Sequence, residues 1–388
     1  MHNSKKRLGI IGTVGVPARY GGFETLAHQL VLNLNEDFDI TVYNSTKHYS
    51  AEERVKEWNG AKIKYIPLSA NGFQSIFYDI ISMIHAVFFC DILLILGVSG
   101  CLFLPILKLL FPSKKIMVNV DGLEWRRPKW NKFAKQFLMF SEKIAVRYAD
   151  EIVADNAAIQ KYIHDKYDVN ANLVEYGADH NLQKGLSEKT LEQYPFLKNE
   201  YAFKVARIEP ENNIHMILEA FSNQNKIPLV FVGNWKNSEY GRKLRTKYKS
   251  VAQLYLLDPI YDAELLNEFR TNAKIYIHGH SAGGTNPSLV EAMYLGLPIL
   301  AFDVIYNKIT TEYRAYFFDN SKQLAKMVQF MDILNLDKIS DDLTEVAFRR
   351  YKWSVITEKY RELAKGKKKK PVPVFDFELP TQLKETIG

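Results

Sequence analysis

An α/β fold of two Rossmann-like domains facing each other across a cleft is predicted by three observations. Short β-branched runs alternate with helical patterns through the first half, a second such series begins after about residue 176, and glycine-rich turns follow strands in both. A chain of 388 residues, 47% of them hydrophobic, holds material for about two domains of ordinary size.

The first series comprises strands at 8–12, 40–44, 63–66, 92–96, 116–120 and 151–154, and the second strands at 201–205, 229–232, 254–256, 275–278 and 299–302. Residues 1–176 are therefore read as the first domain and 177–345 as the second, joined near 176–181. Residues 346–364 are expected to form a helix returning to the first domain, and 365–388 a basic tail. Ligands of such sheets bind beyond the carboxyl ends of the strands, so the function is expected in the cleft between the halves.

The only cysteines, Cys90 and Cys101, lie in apolar stretches and offer neither a disulfide framework nor a thiolate metal cluster. MHNSKKRLGI runs into a strand without a secretory signal, so a cytoplasmic setting is expected. The net charge of +7 calls for an anionic partner, either a lipid surface or a phosphorylated substrate. No zinc-finger spacing or RNP-like motif supports a nucleic acid.

Residues 75–111 are the most apolar stretch, but Asp79, His85 and Asp91 interrupt it before a membrane span accumulates. Residues 101–111 read either as a core-facing helix or as an interfacial one resting on lipid. Next, Arg126, Arg127, Lys129, Lys132 and Lys135 interleave with Trp125, Trp130, Phe133 and Phe137. That pattern suits a membrane-surface helix, or an amphipathic helix with a solvated basic face.

The chemistry is expected at three strand ends. Gly21 and Gly22 precede a helix, where backbone N–H groups and the helix dipole favour a phosphate. The spacing departs from the dinucleotide fingerprint, and the second strand ends in Tyr43-Asn44-Ser45 without an acidic ribose ligand. After the strand at 275–278 come His280, Gly283, Gly284 and Thr285, with Asn286 suited to an N-cap and Pro287 to the first helical position. Glu291, about one turn farther in, either accepts from ribose hydroxyls or complements the helix dipole. Arg207, at another strand end, is placed to clamp a diphosphate and stabilise charge on a leaving group. Asp37-Phe38-Asp39 spells a metal-binding D-x-D, but it lies between a helix and a strand, where aspartates make turns; no metal is expected.

ARIEPENNI and GHSAGGTNPSLVEAMYLGLPILAFD resemble the donor-binding half of the retaining, nucleotide-sugar-dependent family 4 glycosyltransferases, which have the GT-B architecture. GVPARYGGFETLAHQLV and VNVDGLEWRRPKW resemble a bacterial branch that includes capsular and O-antigen rhamnosyltransferases. The resemblance runs from Leu8 to about Leu363. It implies a donor diphosphate between Gly21, Gly22 and Arg207, with Glu291 on the ribose. It implies no cofactor and no metal.

Three positions depart from the family pattern. Asn212 stands where a lysine is usual, Gly283 where an earlier glutamate is usual, and Asp121 where a histidine follows a buried strand. The sugar contact is thereby shifted to the backbone of Gly283 and Gly284 or to Asp121, with Glu124, Trp125, Arg126 and Arg127 on the acceptor side. The resemblance implies transfer of L-rhamnose from dTDP-rhamnose, and the basic aromatic stretch with the apolar helix before it, both in the acceptor-side half, points to a polyprenyl-diphosphate-linked saccharide as acceptor, at the inner face of the plasma membrane. The alternatives are a UDP-hexose donor, a water-soluble sugar-phosphate acceptor, and a non-catalytic assembly protein of the same fold.

Overall fold

The computed structural model describes residues 5–19, 21–127 and 130–366. Lys129 and the tail from residue 367 lie outside the described residues.

The two series of strands form two separate sheets. The first contains β1 (Lys6–Ile11), β2 (Phe38–Ser45), β3 (Glu57–Trp58), β4 (Ala61–Ile66), β5 (Ile92–Leu96), β6 (Lys115–Asn119), β7 (Glu151–Ala154) and β8 (Asn172–Leu173). Their order is β3-β4-β2-β1-β5-β6-β7-β8, parallel except for the β3–β4 pair. The second contains β9 (Ala202–Val205), β10 (Leu229–Val232), β11 (Leu254–Leu257), β12 (Ile275–His278), β13 (Ile299–Phe302) and β14 (Tyr316–Phe318), in the all-parallel order β11-β10-β9-β12-β13-β14. Every predicted strand is present, with ends within two residues of those expected. The strands without a sequence signal, β3, β8 and β14, are two or three residues long and lie at or next to sheet edges, too short for periodicity to show.

Strand order reverses between β1 and β5 in the first sheet and between β9 and β12 in the second. Such switch points open a crevice at the carboxyl ends. The predicted Gly21 and Gly22 follow β1, Arg207 follows β9, and the 279–286 turn follows β12.

The first sheet is flanked by α1 (Gly22–Leu34), α2 (Gln74–Phe89), α3 (Leu104–Leu110), α4 (Lys132–Tyr148) and α5 (Ala157–Tyr167). All five residues of β5 are buried, as expected of a central parallel strand. No helix among the described residues is long and apolar enough to cross a membrane.

The chain crosses between the domains at 176–181 and returns at 351–353. Ala178 N–H donates to the Tyr351 carbonyl (2.7 Å) and Trp353 N–H to Asp179 Oδ1 (2.7 Å). The last helix, Trp353–Lys365, lies against α1. Arg361 and Lys365 on it bind Asp37 at 2.7 and 2.6 Å. The first aspartate of the D-x-D is thus engaged in fastening this helix. Buried Glu175 is clamped by Arg350 (2.7 Å) and Lys359 (2.5 Å). Burial pushes its carboxyl up, but the two cations outweigh it and hold it below the usual range.

Candidate active site

Gly21 caps α1 with φ +137°, a conformation that favours glycine. A Cβ there would fall 1.8 Å from Glu24 Oε2. Glu24 folds back over the helix start, and its Oε1 accepts from Val14 N–H at 2.8 Å. A carboxylate therefore complements the helix dipole where a phosphate was expected. Gly22 gives a close approach between domains: its carbonyl accepts from the Tyr176 hydroxyl (2.7 Å), and a Cβ on it would lie 3.6 Å from Pro287 Cγ.

Beyond β9, Arg207 is solvent-exposed. Asn212, in place of a lysine, organises this loop. Its Nδ2 donates to the Arg207 carbonyl (2.9 Å), which leaves its Oδ1 to accept from His280 Nδ1 at 2.9 Å. Burial, with Arg127, Lys204 and Arg207 nearby, pushes the His280 imidazole down to about 3. It is neutral at pH 7, with Nε2 as an acceptor on the side of Gly283.

The turn after β12 is where the domains meet. Gly283 has φ +93°. A Cβ on Gly122, next to Asp121, would fall 2.3 Å from Gly283 Cα. The Thr285 hydroxyl donates to the Asp155 carbonyl at 2.5 Å, tying the turn to the end of β7. Asn286 caps helix Pro287–Tyr294, with Oδ1 accepting from Ser288 N–H at 3.0 Å. Glu291 is paired with Arg270, itself 3% exposed, at 2.9 Å, and approaches His180 at 3.5 Å. Burial raises the Glu291 carboxyl, but Arg270 and His180 prevail and hold it low. Glu291 is thereby fixed as a carboxylate, able to accept hydrogen bonds.

The opposing wall carries alternating charge. Asp121 (φ +59°) and Leu123 (φ +55°) are left-handed, which turns the chain sharply after β6. Arg127 Nε pairs with Glu124 Oε2 at 2.8 Å, and Trp130 Nε1 donates to Glu124 Oε1 at 3.1 Å. Burial opposes the Arg127 charge, but Asp121, Glu124, Glu211 and Glu209 outweigh it and raise the pKa. Burial lifts the Asp121 carboxyl above its usual range against the pull of Arg127.

Arg126 and Trp125 lie elsewhere than on a lipid-facing helix. Arg126 donates to the Tyr306 hydroxyl (3.1 Å) and stacks over Trp125 and Tyr162, while Trp125 Nε1 donates to Glu142 at 3.0 Å. The interleaved pattern is split because the chain turns at Glu124–Arg126 and α4 starts only at Lys132.

The structure thus brings Asp121, Arg127, Asn212, His280, Gly283 and Gly284 into one electrostatic neighbourhood with Arg207, and spends Thr285 and Asn286 on the turn itself. Sequence reasoning missed Asp155, Glu211 and Arg270. Only Arg270 left a signal, as a cation at the end of an amphipathic helix.

Residues 187–345 match the family described as glycosyl transferases group 1, and residues 5–179 the family described as domain of unknown function (DUF1972). No curated protein matches the chain in sequence. Among solved structures, sucrose-phosphate synthase from Thermosynechococcus elongatus aligns with a TM-score of 0.75 at 14% identity, covering 93% of this chain and 99% of that one. HepE of Anabaena in complex with UDP gives 0.71 at 13% identity over 93% and 100%. Trehalose 6-phosphate synthase from Burkholderia multivorans gives 0.69 at 11% over 94% and 97%. These likenesses establish the fold.

Proposed function

We propose, from a GT-B chain whose second half matches glycosyl transferases group 1, that the protein transfers a sugar from a nucleoside-diphosphate donor with retention at the anomeric carbon. The observation that carries this reading is the convergence at the β9–β12 switch point. Arg207, the 279–286 turn and carboxylate Glu291 emerge there together, facing Asp121 and Arg127 of the other domain. The acceptor oxygen bonds to the anomeric carbon as the bond to the leaving phosphate breaks, on the same face. The acceptor proton passes to a leaving phosphate oxygen. Arg207 stabilises the charge on the departing diphosphate.

For the sugar, the motifs of the first half support L-rhamnose from dTDP-rhamnose. A UDP-hexose is the second reading, favoured by the fold neighbour HepE, which has been solved with UDP-glucose.

The acceptor we propose is a polyprenyl-diphosphate-linked saccharide at the inner face of the plasma membrane, as in capsule or O-antigen synthesis. What supports it is an apolar outer surface on the first domain. Phe88 on α2 is 62% exposed, Leu109 on α3 80% and Phe133 on α4 82%, with Phe77, Ile81, Ile84, Phe89, Ile106 and Phe140 also exposed. The Phe88 and Phe111 rings meet at 5.4 Å, joining α2 to the end of α3. Lys132, Lys143 and Arg147 lie exposed along α4. Exposed apolar area beside cations suits an anionic lipid surface.

A thermal-shift panel with dTDP, UDP, GDP and NAD, each with and without chelator, tests the donor. A ligand at 100 times its dissociation constant stabilises by about 2.7 kcal/mol. Selective stabilisation by dTDP that survives the chelator supports the rhamnose donor, and selective stabilisation by UDP the hexose. No shift with any diphosphate would return the chain to the non-catalytic alternative.

A further inference from the structure

Asp155 follows β7 and lies against the glycine turn of the opposite domain. Its Oδ1 is buried without a hydrogen-bond partner, and a Cβ on Gly284 would fall 1.7 Å from it. The Thr285 backbone N–H reaches the same carboxylate, and the Thr285 hydroxyl holds the Asp155 carbonyl. The group is thus fixed at both ends, with one acceptor left over.

Buried acceptors in folded proteins have partners, so a leftover one beside a ligand crevice calls for a donor that the ligand brings. A diphosphate brings none, because its oxygens accept and its charge repels a carboxylate. A sugar hydroxyl brings one. Gly122, Gly283 and Gly284 bring only backbone to this meeting of the domains, so none of them supplies a side-chain donor to Asp155.

We infer that Asp155 grips a hydroxyl of the transferred sugar and so takes part in selecting the donor's sugar, an assignment that rests on the nucleotide-sugar reading above. Burial, with Asp121 and Glu175 adding to it, pushes the Asp155 carboxyl up to about 8, while the Thr285 N–H opposes. Tyr360 senses the same carboxyl. Near pH 7 the group is the neutral acid, which sits beside a diphosphate without charge repulsion and can both accept from and donate to a hydroxyl.

Calorimetry on the full chain with UDP against UDP-glucose, and dTDP against dTDP-L-rhamnose, reads the contribution of the sugar as a ratio. Asp155→Ala is expected to weaken the nucleotide-sugar that binds by about tenfold to a hundredfold, and the matching diphosphate by less than about twofold. Asp155→Asn, which keeps shape and neutral polarity, should stay within about threefold of the unaltered protein at pH 7. Equal losses of diphosphate and nucleotide-sugar in Asp155→Ala would overturn the inference and leave a structural role.

A second arm needs no variant to fold. In the unaltered protein, diphosphate affinity should fall between pH 7 and 9 as the ionising Asp155 comes to repel it, and nucleotide-sugar affinity should fall less, because the carboxylate accepts more strongly from the sugar hydroxyl. A constant ratio across that range would also overturn the inference. Failure of all four probes to bind the unaltered protein would instead remove the donor reading, and this inference with it.

Discussion

Gly122 and Gly283 meet backbone to backbone across the two domains: a Cβ on Gly122 would lie 2.3 Å from Gly283 Cα and 2.6 Å from the Gly284 nitrogen. Neither partner is a side-chain end that can swing aside, so Gly122→Ala must push the domains apart. A misplacement of about 1 Å can cost about 100-fold in rate. Gly122→Ala is expected to lose about that much turnover with its secondary structure intact, measured by donor consumption alongside circular dichroism.

Arg207 tests the electrostatic core of the mechanism. Removing one contact that stabilises transition-state charge costs about 100- to 1,000-fold in kcat, so Arg207→Ala should show such a loss with little change in melting temperature. Arg207→Lys restores the charge but not the forked geometry and should recover only part of the rate. Steady-state kinetics on the three proteins decides this, and near wild-type turnover in Arg207→Ala would remove Arg207 from the chemistry.

The strands and turns were legible because their signals are local. The Asn286 cap, Pro287 at the first helical position and the glycines before them all act within one turn of helix. Asp155 was not legible, since its partner Thr285 lies 130 residues away in the opposite domain. Nothing in the run from Ala154 to Asn156 announces that meeting. Arg126 and Arg127 misled for a related reason. They follow the left-handed turn at Asp121 and Leu123, which directs them to Tyr306 and Glu124 before a helix begins. The exposed aromatic face of α2 was hidden because this helix buries Ser75, Asp79 and Ser82 while exposing Phe77, Ile81 and Phe88, the reverse of the usual amphipathic pattern.

That face supplies its own prediction. Phe88, Leu109 and Phe133 are each more than 60% exposed and make few packing contributions to lose. The triple substitution Phe88→Ser, Leu109→Ser, Phe133→Ser is expected to leave the melting temperature within a few degrees and abolish sedimentation with anionic vesicles at low salt, since each large apolar side chain is worth about 1.5–3 kcal/mol of burial. Vesicle binding undiminished in the triple variant would remove this face as the membrane contact.

Lys204 couples the site to pH. It lies on β9, 1% exposed, with Nζ 3.5 Å from the Ile277 carbonyl and no carboxylate paired with it among the described residues. Burial depresses its ammonium to about 7 from an ordinary 10.5. Between those values the unfolded chain holds a proton that the folded one lacks, so unfolding takes up a proton and stability rises with pH. The penalty is complete below pH 7 and fades toward pH 10.5. Asp79 and Asp155, whose carboxyls are pushed up to about 8, act in the opposite direction below pH 8, and the buried Cys90 and Cys101 thiols, raised above the ordinary 9, oppose it toward pH 9.5, so the lysine is read as the difference between the variant and the unaltered protein. Lys204→Met, close in volume and without charge, should raise stability at pH 7 by a few kcal/mol and flatten its rise from pH 8 to 9.5. Urea denaturation at pH 7, 8 and 9.5 checks both. Because Lys204 also helps hold His280 neutral, the same variant should move the His280 titration upward, which imidazole NMR resolves independently of stability.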